Sequence, residues 1–161
     1  MKNGRIRPTR TVANMALTGE YVPSPQKWVR DQVELYERTG GREGYLLAGT
    51  EWPVVIFTTR GNKSGKIRKF ALMRVEHDGK YAMVASKGGA PEHPVWYHNL
   101  KADPDAITVQ EGDRVIDGHA RELEGQERET WWRRAVEAYP PYAEYQTKTD
   151  RLIPVFLVEP R

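Results

Sequence analysis

The chain has 161 residues, with 25 Lys and Arg against 22 Asp and Glu, so it carries a net charge of +3 when the histidines are neutral. That length allows one domain with a sizeable core, and a balance so near neutrality argues against a general nucleic-acid binder, whose basic charge dominates the domain. There is no cysteine, which excludes disulfides, thiolate metal sites and cysteine nucleophiles and fits a reducing cytosol.

Residues 1–23 read as a flexible basic arm carrying Lys2, Arg5, Arg7 and Arg10, without an apolar core of signal-peptide length. Its functional alternative is weak contact with anionic lipid at the inner face of a membrane. No apolar run approaches the roughly 18 residues needed to cross a bilayer. Residues 24–161 read as a single domain. Ser24 followed by Pro25 marks a helix start, with the hydroxyl as N-cap and proline at the first helical position. Val29, Val33 and Tyr36 recur at helical spacing, Trp28 and Leu35 lie beside them, and Gly40-Gly41 ends a helix of about fourteen residues.

The period then changes. "WPVVIFTTR" (52–60) is β-branched and continuous, as in a strand buried on both faces. "IRKFALMRVEHDGKYAMVASKGG" reads as two strands joined at Asp78-Gly79, a strong hairpin signal. A second hairpin turns at Gly112-Asp113, and "IPVFLVE" (153–159) is a closing strand. Helices are predicted over 94–103 and 126–139, the latter with Trp131, Trp132, Ala135, Val136 and Tyr139 on a broad apolar face. About six mostly antiparallel strands with flanking helices make an α+β protein with a barrel-like sheet. The order contains no βαβ alternation, which excludes a Rossmann fold.

Three stretches carry candidate chemistry. "RGNKSGKIRKF" (60–70) gathers Arg60, Lys63, Lys66, Arg68 and Lys69 without an acid. It is not a P-loop: three residues separate its glycines, Ile67 follows Lys66, and it joins strand to strand. It reads either as a site for phosphate or carboxylate groups or as a solvated hairpin tip. "VASKGGAPEHPVWYHN" (84–99) runs from a strand through Ser86, Lys87 and two glycines to a Pro-led helix with Trp96 and Tyr97. The glycines let a planar ring approach the backbone; an ordinary strand-to-helix connection explains them equally. Tyr139, Tyr142 and Tyr145 recur every third residue around Pro140-Pro141, either to stack on a planar substrate or to pack a helix on the sheet. His77, His93, His98 and His119 lack metal-ligand spacing, so no metal is expected. Asp150, His98 and Ser86 lack the nucleophile elbow of a hydrolase triad.

Taken together, "TTRGNKSGKIRKFALMRVEHDGKYAMVASKGGAPEHPVWYHNLKADP" and "YPPYAEYQTKTDRLIPVF" resemble the deazaflavin-dependent nitroreductase family of actinobacteria, over roughly residues 18–160. The resemblance implies a split β-barrel related to flavin-binding barrels, and coenzyme F420 (a 5-deazaflavin with a phosphodiester and an oligoglutamate tail). It places Asn62, Lys63 and Ser64 on the anionic part of the cofactor, with Lys66 nearby. It puts Arg68, Lys69, Phe70, Ala71, Leu72 and Met73 around the cofactor, as it does Val84, Ala85, Ser86 and Lys87. Val95, Trp96, Tyr97, His98 and Asn99 belong to the same set. Tyr142 is implied at the ring or the acceptor, Tyr139 and Tyr145 flank it, and Ser86 donates to an acceptor's oxygen. Several relatives have Arg in place of Asn62 and Pro in place of Ala71, the second implying a looser turn beside the ring.

The implied activity is hydride transfer from reduced F420 to a planar electrophile, a quinone or a nitroaromatic, by a cytoplasmic monomer or homodimer. An FMN-dependent oxidoreductase of the same barrel class and a non-catalytic deazaflavin-binding protein are the alternatives. A nucleic-acid module using cations and stacked aromatics is disfavoured, because the basic residues are confined to one loop.

Overall fold

The computed structural model describes residues 17–161; most of the expected basic arm, residues 1–16, lies outside the described residues. Leu17 packs on Ile67 and Ala106. Beyond it the chain runs beside the sheet, the Ile67 amide donating to Glu20 O at 2.8 Å and the Val22 amide to Ile67 O at 3.0 Å.

Helix α1 (Lys27–Thr39) starts later than the Ser-Pro signal predicts. Ser24 Oγ accepts the Gln26 amide at 3.2 Å, closing a turn ahead of the helix. The N-cap position thus falls to Gln26, which makes no capping side-chain bond. Gly40 ends α1 in the left-handed region (φ 61°), a conformation that costs a residue with a Cβ about 1 kcal/mol. The apolar face meets the sheet through Val33 and Tyr36, packed on Val54 and Ile56. Trp28 points away and stays 62% exposed.

Seven strands follow: β1 (Val54–Arg60), β2 (Ile67–Met73), β3 (Glu76–His77), β4 (Lys80–Val84), β5 (Ile107–Glu111), β6 (Arg114–Glu122) and β7 (Val155–Pro160). They form one sheet in the order β2-β1-β5-β6-β7-β4-β3, and every pair of these strands is antiparallel. Seven strands replace the expected six or so because the stretch from Ile67 to His77 is two strands. Its halves lie at opposite edges of the order, and only Arg74 and Val75 carry the chain between them. Edges so close in sequence require the sheet to curl on itself, as in a split barrel. Asp78 (φ 54°) and Gly79 (φ 77°) form the predicted tight hairpin turn.

Three more helices flank the sheet: α2 (Val95–Ala102), α3 (Gly125–Ala138) and α4 (Pro141–Thr147). The barrel interior holds Phe57, Met83, Leu100, Ile107 and Phe156. A second core beneath α3 and α4 joins Trp131, Ala135, Tyr142, Ile153 and Leu157. No described helix is long and apolar enough to cross a membrane.

A polar link fastens the crossing at Arg74. Arg74 Nε donates to Glu111 Oε2 at 2.5 Å, and the Tyr81 hydroxyl donates to the other carboxylate oxygen. Burial pushes the Glu111 carboxyl up, but the Arg74 and Tyr81 hydrogen bonds with the charges of Arg74 and Arg114 outweigh it and hold it below its ordinary value. A depressed carboxylate contributes stability above its unfolded value and loses it as pH falls through the folded value. Thermal melts are expected to drop as pH goes from about 6 to about 3, and Glu111→Gln should flatten part of that slope. An unchanged slope in Glu111→Gln would assign acid sensitivity to other carboxylates.

Candidate cofactor groove and acceptor site

The β1–β2 turn is internally fastened. The Gly61 amide donates to Lys66 O at 2.7 Å and the Gly65 amide to Gly61 O at 2.9 Å; Lys66 N donates to Ser64 Oγ at 3.1 Å. A Cβ at residue 61 would lie 2.5 Å from Ser64 Oγ, so glycine there admits the hydroxyl. The Asn62 amide donates to Asn99 Oδ1 at 2.9 Å, tying the turn to α2. This is an ordered loop braced against a helix.

Its five cations divide. Arg60 pairs with Asp103 at 2.9 Å, Lys66 with Glu20 at 2.7 Å, and Lys69 with Glu37 at 2.6 Å. Lys63 and Arg68 have no acidic partner among the described residues; Arg68 only reaches Val22 O, at 3.4 Å. The local charge seen in sequence is therefore largely neutralised, and the two uncommitted cations face the same cavity. That cavity, of about 340 Å3, is also lined by Asn62, Ser64, His98 and Asn99.

A second cavity of about 500 Å3 shares Arg68, Val95 and Asn99 with the first and is walled by Phe70, Trp96 and the Ser24–Gln26 segment. Phe70 and Trp96 stack with centroids 6.0 Å apart. Thr59 also lines it; this threonine is 1% exposed, and its Oγ1 has no hydrogen-bond partner. A buried hydroxyl left unpaired costs about 1–3 kcal/mol. Sequence reasoning passed over Thr59 because it sits in a β-branched strand where threonine is unremarkable; its polarity in a buried run was the available signal.

Ser86 opens a turn two residues after the end of β4. Ser86 is 7% exposed. A 3-10 turn (Lys87–Gly89) follows it, with Lys87, Gly88 and Gly89 all at positive φ. A Cβ on Gly89 would meet Tyr145 O at 2.8 Å, so glycine at 89 lets α4 settle directly on this turn. Tyr139, Tyr142 and Tyr145 cluster on one another, with Tyr139–Tyr142 centroids 4.9 Å apart and the Tyr139 and Tyr145 hydroxyls 3.0 Å apart. Tyr139 caps α3 and only the other two lie on α4. Burial pushes the Tyr142 phenol well above its ordinary value, with the neighbouring tyrosines adding to it. Burial and then the Tyr145 hydrogen bond push Tyr139 up to about 12. Both are hydrogen-bond donors at neutral pH.

The remaining residues implied by the resemblance lie outside these two groups. Ala71 and Met73 face α1, Leu72 packs on the barrel core, and Val84 joins the second core. Ala71 sits mid-strand opposite Ile56, so no turn is loosened by its replacing proline. Ala85 is fully buried. Tyr97 stacks on His93 at 4.0 Å, and Lys87 pairs with Glu92 at 3.3 Å. Among the described residues no group of three His, Cys, Asp or Glu side chains could hold a metal ion.

The structure is thus an antiparallel half-barrel with a groove that has two cations at one end and stacked aromatics at the other. The model of the F420H2-dependent quinone reductase family matches residues 28–160, and the chain belongs to that family. It is an oxidoreductase that uses coenzyme F420. It is 33% identical over 130 residues to an F420H2-dependent quinone reductase of Mycobacterium tuberculosis (strain ATCC 25618 / H37Rv), covering 79% of this chain and 86% of the relative. Among solved structures, an F420-H2 dependent reductase (FDR-A) is 71% identical with a TM-score of 0.63, over 66% of this chain and 94% of that one. Another, described as a domain-swapped dimer, is 62% identical with a TM-score of 0.66, over 84% of this chain and all of that one.

Proposed function

We propose that this chain reduces quinones at the Ser86–tyrosine cluster, holding F420 in the adjoining groove. The observation that carries this is the groove's composition: two uncommitted cations at one end and a stacked Phe70–Trp96 wall with an orphan Thr59 hydroxyl at the other. Those groups fit a flat ring joined to a polyanion. When bound, the reduced deazaflavin supplies a hydride in a two-electron step.

The protein's own part is orientation and charge. Lys63, Arg68, Ser64 and the Asn62–Asn99 pair grip the tail, Thr59 Oγ1 takes a polar group in mid-groove, and Trp96 and Phe70 present an apolar wall. Ser86 and Tyr142, neither with a hydrogen-bond partner for its hydroxyl among the described residues, donate to the acceptor oxygen as negative charge develops there. A tyrosine or solvent then returns the proton. Nitroaromatics fit the same hydroxyl donors as incidental acceptors.

The test is oxidation of F420H2 by a soluble naphthoquinone, followed as recovery of the oxidised deazaflavin's visible absorbance, with reduced FMN in parallel. Quinone-dependent turnover with F420H2 alone is the expected result. Tight binding of F420 without any turnover would make this a storage protein, and turnover with FMN instead would refute the tail site.

A further inference from the structure

The turn that presents Ser86 does not hold itself. Three consecutive residues, Lys87 (φ 46°), Gly88 (φ 64°) and Gly89 (φ 86°), are left-handed, and Lys87 has a Cβ, so the conformation is strained there. Its internal bonds are few: the Gly89 amide donates to Ser86 O at 2.8 Å and the Ala90 amide to Lys87 O at 3.1 Å.

What spans the turn is a side chain more than sixty residues away in sequence. Arg151 Nη2 donates to Ser86 O at 2.9 Å, Nη1 to Ala85 O at 3.1 Å, and Nε to Ala90 O at 2.9 Å. Nη1 also meets His93 Nδ1 at 3.0 Å. Burial, then the Arg151 and His98 charges, hold His93 below its ordinary value, so its ring is neutral and Nδ1 can accept. Arg151 has no carboxylate within ion-pair distance among the described residues; its charge is spent on carbonyl dipoles at both ends of one turn. The same residue is fastened to the tyrosine helix. Gln146 Nε2 donates to Arg151 O at 2.8 Å, and the Ile153 amide donates to Gln146 Oε1 at 3.0 Å.

We propose that Arg151 is a positioning residue for the reduction, fixing the Ser86 hydroxyl in place relative to Tyr142. The inference rests on the acceptor role assigned to Ser86 above. A planar guanidinium is required, because a lysine ammonium cannot reach carbonyls on both sides of the turn at once. Displacing a donor by about 1 Å costs on the order of a hundredfold in rate, while the cations of the groove are untouched.

The experiment compares wild type with Arg151→Lys and Arg151→Met, each alone and with Ser86→Ala. In the protein without cofactor, amide exchange over residues 85–90 is expected to rise about tenfold with the barrel strands unchanged. F420 affinity is expected to stay within about threefold and kcat for a soluble naphthoquinone to fall about tenfold or more with little change in KM. In the Ser86→Ala background Arg151→Lys should cost almost nothing further, because both act on one hydroxyl. Wild-type exchange and kcat in Arg151→Lys would overturn the proposal, as would a full additional loss in the Ser86→Ala background. An unchanged kcat in Ser86→Ala alone would overturn the acceptor role of Ser86, a distinct failure. Should Arg151→Met not fold, Arg151→Lys keeps the charge and stem and carries the comparison.

Discussion

Replacing Lys63 and Arg68 together by Gln is expected to weaken F420 binding about a hundredfold, since each charge-assisted contact is worth about tenfold. Fluorescence titration of purified protein with oxidised F420 checks it. The remaining affinity should depend far less on salt, because the screened attraction between groove and tail has been removed. Lys66→Gln and Lys69→Gln provide the contrast. Their ammonium groups pair with Glu20 and Glu37, so affinity should stay within about twofold even though the charge removed is the same. FMN, with a phosphate but no glutamate tail, should bind weakly to all of these proteins. Equal losses from all four lysine and arginine positions would mean that the ion pairs open to receive the tail.

The second large effect is expected on the acceptor side. Ser86→Ala should lower kcat for a quinone by about ten- to a hundredfold, the range for losing one donor to a developing oxyanion, with F420 affinity little changed. Tyr142→Phe separates chemistry from folding. Tyr142 is 4% exposed, and phenylalanine keeps its ring in the second core, so the melting temperature should change little. A fall in kcat in that variant then reports on the reaction. No change in kcat with either substitution would move proton donation to solvent. Because burial pushes Tyr139 up to about 12, the rate should show no ionisation of Tyr139 near pH 10, the ordinary value.

Local signals in the sequence located most elements. The hairpin at Asp78-Gly79 needs two left-handed residues and shows them, and Gly40 closes α1 as its type suggests. What local reading could not supply was partnership across the chain. The stretch from Arg60 to Lys69 looks like one cationic patch, yet Glu20, Glu37 and Asp103, which neutralise three of its charges, lie 32 to 46 residues away. The Ile67–His77 stretch is apolar enough to read as a single strand; only the curl of the sheet divides it at Arg74. Arg151 was invisible for the same reason, since an arginine in a polar loop acquires meaning only through the three carbonyls it reaches.

The position of β7 has a consequence for synthesis. This last strand inserts between β6 and β4, pairing with both along its length. Until it arrives, the sheet exists as two separate ribbons, β2-β1-β5-β6 and β4-β3, with an unpaired edge on each. Closure of the barrel therefore waits until residues 155–160 have been made, and it depends on contacts of long sequence separation, which form slowly. Chains cut short before Val155 would leave both edges free to pair with other copies.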